Sequence, residues 1–102
     1  MKEYTVEHNI IHQVKARGGV CWKWVSPGRR GVPDRICIFP GPVIVFVELK
    51  RPELRDGRSA QQKKVAEILE RLGCQVWRIG DPDAFREKLN ALGLPKVERH
   101  GV

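Results

Sequence analysis

The sequence predicts an α/β fold in which helices flank a mixed central sheet, in the order αβββαβ with one more helix at the end. Two observations lead to this prediction. Apolar residues recur at helical spacing near the N-terminus and again after residue 59, and short runs rich in β-branched residues separate these segments. The second and third strands are apolar on both faces, and strands of that kind lie inside a sheet.

Glycine and proline mark the boundaries of the predicted elements. Gly18 and Gly19 end the first helix, Gly41 lies in the turn between the second and third strands, and Gly73 ends the second helix. Loops are expected at 26–33 and 51–58, and a loose tail at 93–102. The predicted helices are Tyr4–Arg17, Ser59–Leu72 and Asp83–Leu92, and the predicted strands are Val20–Val25, Asp34–Phe39, Val43–Lys50 and Gln75–Ile79.

Length and charge restrict the class of protein. A chain of 102 residues is expected to form one domain, with its core at about residues 3–92. The formal net charge of +7 favours a polyanionic partner such as nucleic acid, although a basic surface that only prevents self-association would carry the same charge. Since no apolar run could span a membrane and the N-terminus lacks the apolar centre of a signal peptide, we expect a cytoplasmic protein.

The three cysteines, Cys21, Cys37 and Cys74, are scattered and show no CxxC spacing. Such a sparse and odd set argues against a disulfide framework and against a structural zinc site. We expect them to act as small buried hydrophobic residues in a reducing compartment.

The hairpin of the second and third strands brings charged residues together. If its turn is centred on Gly41, Asp34 lies directly opposite Glu48. Opposed residues point to the same face of a sheet, with Cβ atoms about 5 Å apart. Lys50 lies two residues after Glu48 and shares that face. A shift of one residue in the pairing would send Asp34 to the opposite face.

Two carboxylates that lie so close repel each other in a half-buried setting, and a divalent cation removes this repulsion. Mg²⁺ binds one or two carboxylates, keeps several waters and contacts a substrate phosphate. Lys50 would then orient or deprotonate the attacking water, or hold the phosphate. The alternative is a structural ion-pair cluster of Asp34, Glu48 and Lys50, since such clusters are common at strand ends.

Five sequence elements occur in register: Glu7 in the first helix, Gly31, Pro33-Asp34, Glu48-Leu49-Lys50 and Gln62 at the start of the second helix. Together they resemble the VRR-Nuc family of nucleases, which belongs to the restriction-endonuclease-like PD-(D/E)xK superfamily. The resemblance covers residues 3–80 and is greatest to the stand-alone members of viruses and bacteria.

This resemblance implies the roles of the three central residues and of a backbone group. Asp34, Glu48 and the backbone carbonyl of Leu49 would bind Mg²⁺ or Mn²⁺, and Lys50 would be the catalytic lysine.

The resemblance also implies roles for Glu7 and Gln62, and each has a structural alternative. Glu7 would touch the metal site, directly or through water, but a charge at a helix start is also favoured by the helix dipole. Gln62 would support the metal-bound water or the phosphate, but Ser59 and Gln62 also fit a capping box. Periodicity places Gln61 and Gln62 about equally near the apolar stripe, so only the resemblance selects Gln62.

Basic residues around the predicted site are expected to contact DNA phosphates. Arg29 and Arg30 lie in a glycine-containing loop just before Asp34, where phosphate contact and a solvated turn are the two alternatives. No segment resembles a base-reading helix, which favours recognition of DNA shape. The other candidate DNA-binding residues are Arg51, Arg58 and Lys63.

Two further pairs of residues each have a functional and a structural interpretation. His8 and His12 stand one helical turn apart, a spacing that can hold zinc, but no third ligand is evident and a solvated helix face is favoured. Trp22 and Trp24 share one face of the first strand. They could stack on unpaired bases, or pack in the core or in a subunit contact.

These observations together predict a Mg²⁺- or Mn²⁺-dependent endonuclease that selects DNA by structure. The resemblance to stand-alone members implies cleavage of four-way (Holliday) junctions, and two symmetric cuts would require a two-fold homodimer. The enzyme alternative is a flap or nicking nuclease of DNA repair or replication. The alternatives of another class are a non-catalytic DNA-binding module and a subunit of a larger assembly.

Overall fold

The computed structural model describes residues 3–50 and 59–97, which contain three helices and four strands. The strands form one sheet in the order of the chain; the first three are antiparallel, and the fourth runs parallel to the third. This confirms the predicted α/β class and the order of its elements. The elements are α1 (Glu3–Ala16), β1 (Val20–Lys23), β2 (Arg35–Phe39), β3 (Val43–Leu49), α2 (Ala60–Arg71), β4 (Gln75–Ile79) and α3 (Pro82–Ala91).

Observed and predicted boundaries differ by at most two residues, and those of β4 coincide. β1 ends at Lys23, although the backbone N–H of Trp24 still donates to the carbonyl of Asp34 at 3.1 Å. α3 begins at Pro82, because the side chain of Asp81 accepts a hydrogen bond from the backbone N–H of Ala84 at 2.9 Å and caps the helix. The predicted loop at 51–58 lies outside the described residues.

The main core lies between one face of the sheet and the helices α1 and α3. β2 and β3 occupy the interior of the sheet, as their apolar character predicts. α2 packs against β4, and its buried Val65 and Ala66 lie outside this core, on the opposite face. The core residues are Val6, Ile10, Val14, Cys37, Phe39, Val45, Val47, Leu49, Trp77, Ile79, Phe85 and Leu89.

The first residues after α3 are anchored and do not form the loose tail that was predicted. The backbone N–H of Val97 donates to the carbonyl of Ala16 at 2.8 Å. Arg17, which is buried at the end of α1, donates to the carbonyl of Leu94 and to the side chain of Asn90. Residues 98–102 lie outside the described part of the chain. In the residues that are described, no helix has the length and apolar character needed to cross a membrane.

Cys21 and Cys37 face each other across β1 and β2 as free thiols. Cys37 is fully buried, and its thiol donates to the sulfur of Cys21 at 3.6 Å. This hydrogen bond lowers the pKa of Cys21, whereas the same contact and burial raise the pKa of Cys37. Cys37 is thus the small buried residue that was expected, while Cys21 and Cys74 are only half-buried.

Candidate active site

The pairing of β2 with β3 places Asp34 and Glu48 side by side. The observed pairs follow the predicted register from the turn to Arg35 and Val47, and Asp34 and Glu48 are the next residues in this register. The backbone N–H of Leu49 donates to Oδ2 of Asp34 at 2.8 Å, which holds the Asp34 carboxylate against β3. The two carboxylates therefore project from the same face at the same end of the hairpin.

Glu48 is fully buried, although it carries a carboxylate. Burial of an ionised side chain is unfavourable unless charges or hydrogen bonds compensate it. Arg78 of β4 pairs with Glu48 across the parallel strands and is half-buried on the same face. Arg78 therefore adds a positive charge to the face that carries the two acidic residues. The sequence contained one signal of this role, a charged residue between the buried Trp77 and Ile79.

Lys50 follows β3 directly and shares the face of Glu48, as predicted. Its backbone N–H donates to the carbonyl of Ile79 at 2.9 Å, which continues the pairing of β3 with β4 by one residue. The aliphatic part of its side chain lies against Gly80. The hairpin and β4 thus bring together two acidic and two basic residues.

Burial distinguishes the two glutamines in the first turn of α2. Gln62 is 9% exposed, whereas Gln61 is exposed to solvent. The predicted capping box is present: the backbone N–H of Ser59 donates to the side chain of Gln62 at 3.1 Å, and the backbone N–H of Gln62 donates to the hydroxyl of Ser59 at 3.2 Å. A structural use of Gln62 is therefore established, and its role toward metal or phosphate stays a prediction.

Gly31 brings the loop before Asp34 into contact with α2. Its φ of 86° lies in the left-handed region that favours glycine. A Cβ atom at this position would lie 2.4 Å from the carbonyl carbon of Gln61. The loop therefore lies directly on the first turn of α2, and this contact brings the start of the helix close to Asp34.

Glu7 forms an ion pair that the sequence did not predict. Nε of Arg35 donates to Oε2 of Glu7 at 2.9 Å, and both side chains are mostly buried. Arg35 is adjacent to Asp34, so it points to the opposite face of the sheet. The described contacts thus place Glu7 next to Arg35, and its contact with a metal stays a prediction.

The candidate DNA-binding residues are only partly described. Arg29 and Arg30 are exposed in the loop before Asp34, and Lys63 is exposed on α2. Arg51 and Arg58 lie outside the described residues. Phosphate contact by these five residues stays a prediction.

Asp34, Glu48 and the Leu49 carbonyl form a donor set that fits Mg²⁺ or Mn²⁺. All three supply oxygen, which these ions prefer, and Mg²⁺ needs only one or two carboxylates because waters and phosphate complete its coordination. Within the described residues, no three His, Cys, Asp or Glu side chains form a metal-binding group. The pair His8 and His12, whose Nε2 atoms lie 3.2 Å apart, therefore has no third such ligand there.

The chain is similar to a solved structure and to a curated protein sequence. A solved structure described as "VRR_NUC domain" has a TM-score of 0.77 and 30% sequence identity, over 87% of this chain and 94% of that chain. "Putative nuclease p44" of Acyrthosiphon pisum secondary endosymbiont phage 1 is 46% identical over 52 residues. That match covers 51% of this chain and 56% of the relative, so this chain spans about half the length of p44. No protein-family model matches the chain.

Gly31→Ala is expected to lower the free energy of unfolding by more than about 2 kcal/mol, because a positive φ strains alanine and its Cβ would overlap the backbone of Gln61. Urea denaturation followed by tryptophan fluorescence measures this loss. Gly28→Ala is the matched control, since Gly28 has no positive φ and a Cβ there meets nothing within 4 Å. Equal stability of the two variants would contradict the proposed contact between the loop and α2.

Proposed function

Because the chain belongs to the VRR-Nuc family, we propose that it is a metal-dependent nuclease that hydrolyses the phosphodiester bonds of DNA. The observation that supports this proposal most strongly is the convergence of Asp34, Glu48 and Lys50 at one end of the β2–β3 hairpin. A structural ion-pair cluster does not require the oxygen-rich donor set that Asp34, Glu48 and Leu49 offer, so the donor set favours the catalytic alternative.

Asp34, Glu48 and the carbonyl of Leu49 would hold Mg²⁺ or Mn²⁺. When bound, such an ion stabilises negative charge on the phosphate and lowers the pKa of a coordinated water. The hydrogen bond from the Leu49 N–H fixes Asp34 before substrate arrives, so the site needs little rearrangement. Lys50 would orient or deprotonate the attacking water, or hold an oxygen of the scissile phosphate.

Two further residues would support this chemistry. Gln62 is buried in the first turn of α2, where it would hold the attacking water or a phosphate oxygen. Glu7 would act through a water, because its ion pair with Arg35 favours an indirect contact over direct ligation.

The substrate we propose is DNA of branched structure, including four-way junctions. Arg29 and Arg30 are exposed five and four residues before Asp34, where they would contact the phosphates of the strand that enters the site. The net charge of +7 would strengthen this sequence-independent attraction. A flap or nicking nuclease uses the same chemistry, so only the preferred DNA structure separates it from a junction nuclease.

The exposed apolar face of the sheet supports a homodimer. Trp22 is 60% exposed and Ile44 is 47% exposed, and exposed apolar patches of this kind mark interaction surfaces. Glu48 projects from the same face, so a two-fold contact there would join two active sites in one particle, as two symmetric cuts require. The face contains two rows of paired side chains, Val20, Ile38 and Ile44 in one and Trp22, Ile36 and Phe46 in the other.

Asp34→Ala and Lys50→Ala are each expected to slow the cleavage of a labelled four-way junction at least about 100-fold, because each removes a group that acts on the reacting atoms. Cleavage should require Mg²⁺ or Mn²⁺ and stop in EDTA. The matched controls are Glu87→Ala and Lys15→Ala, which remove exposed charges from α3 and α1 and should keep full activity.

The same assay separates the alternatives. Rates on junction, flap, nicked and linear duplex DNA identify the preferred structure. Tight DNA binding by the wild-type protein with no cleavage in either metal would overturn the nuclease proposal in favour of a binding module or a subunit.

Trp22→Glu is expected to convert the dimer to a monomer in sedimentation velocity, because it places a charge in the centre of the proposed contact. Leu72→Glu is the matched control: Leu72 is 76% exposed at the end of α2, outside this face, and its replacement should leave the dimer intact. A monomeric wild-type protein under the conditions of the cleavage assay would refute the dimer.

A further inference from the structure

We infer that Gly80, the residue directly after β4, is a positioning residue for Lys50. The inference rests on the proposed function, because it concerns the lysine that the nuclease mechanism uses. Neither the family motif nor the periodicity of the sequence points to Gly80.

The parallel pairing of β3 with β4 brings these two residues together. Leu49 pairs with Ile79, and the backbone N–H of Lys50 donates to the Ile79 carbonyl at 2.9 Å. Lys50 and Gly80 are therefore the next neighbours across the strands. A Cβ atom at Gly80 would lie 2.9 Å from Cδ, 3.6 Å from Cγ and 3.7 Å from Cβ of Lys50. The aliphatic part of the lysine thus lies across the backbone of Gly80, in the space that a side chain would fill.

The backbone conformation does not explain why residue 80 is glycine. Gly31 and Gly73 have positive φ angles, which other residues adopt only with strain, whereas Gly80 does not. Space is the remaining explanation, since even a methyl group would meet the Lys50 side chain at less than the normal contact distance.

This contact would fix where the ammonium group of Lys50 lies. A lysine side chain has four rotatable bonds and loses rotamer freedom when it is held in place. Contact with the backbone at Gly80 removes part of this freedom before DNA binds. Displacing a catalytic group by about 1 Å can lower a rate about 100-fold. An alanine at position 80 would push the aliphatic chain away from β4 and displace the ammonium group, without changing any charge.

Gly80→Ala is expected to lower the single-turnover cleavage rate about 10-fold or more in Mn²⁺. The dissociation constant for junction DNA, measured with Ca²⁺ to prevent cleavage, and the melting temperature should stay as in the wild type. Gly28→Ala is the matched control for adding a methyl group to a glycine, and it should keep the full rate because nothing lies within 4 Å of its added Cβ.

A double-mutant cycle tests whether Gly80 acts through Lys50. If it does, Gly80→Ala causes no further loss in a Lys50→Ala background. An equal loss in both backgrounds, or a full rate for Gly80→Ala alone, would overturn the inference. A wild-type protein that does not cleave DNA would refute the proposed function instead. In that case the NMR signal of ¹³Cε-labelled Lys50 tests the contact between Gly80 and Lys50. A shift of this signal in Gly80→Ala and none in Gly28→Ala supports the contact. An unchanged signal in Gly80→Ala refutes it.

Discussion

The antiparallel register of β2 and β3 is the constraint on which the rest of the site depends. Cys37, Val45 and Val47 are fully buried on one face of the hairpin, and a shift of one residue in either strand would move that strand's apolar set toward solvent. Because the opposite face is also apolar, the charged ends decide the register: a shifted β2 would turn Asp34, and a shifted β3 would turn Glu48, toward the main core. The same register brings Asp34 and Glu48 together on the opposite face of the hairpin. The arrangement of the two carboxylates thus follows from the cost of turning either one into the apolar core.

Neighbouring elements make this arrangement suitable for a buried charge. Glu48 has no exposed surface, and Arg78 is its partner across the parallel strands. The contact of Gly31 with α2 encloses the site from the side of the loop. A site enclosed in this way has a lower local dielectric than water, so each charge in it acts more strongly on a bound phosphate.

The hairpin could be predicted from the sequence, because a centred turn and a period of two residues determine which side chains are opposed. Local periodicity could not distinguish Gln62 from Gln61, since both lie about equally near the apolar stripe of α2. Packing against the sheet decides which of the two is buried. The positions of Arg78 and Gly80 depend on the register between β3 and β4. The connection through α2 sets this register, and no local sequence pattern predicts it. The ion pair of Glu7 with Arg35 depends on how α1 lies on the sheet, which is also set by tertiary packing.

Calorimetric titration with Mn²⁺ tests most directly the claim that Asp34 and Glu48 form one site for a divalent cation. The wild-type protein and the control variant Glu67→Gln, which removes an exposed carboxylate from α2, should each bind one ion per chain. Asp34→Asn and Glu48→Gln preserve side-chain size but remove a charge, and each should abolish this binding. Unchanged Mn²⁺ binding by both site variants, or no binding by the wild-type protein, would contradict the claim.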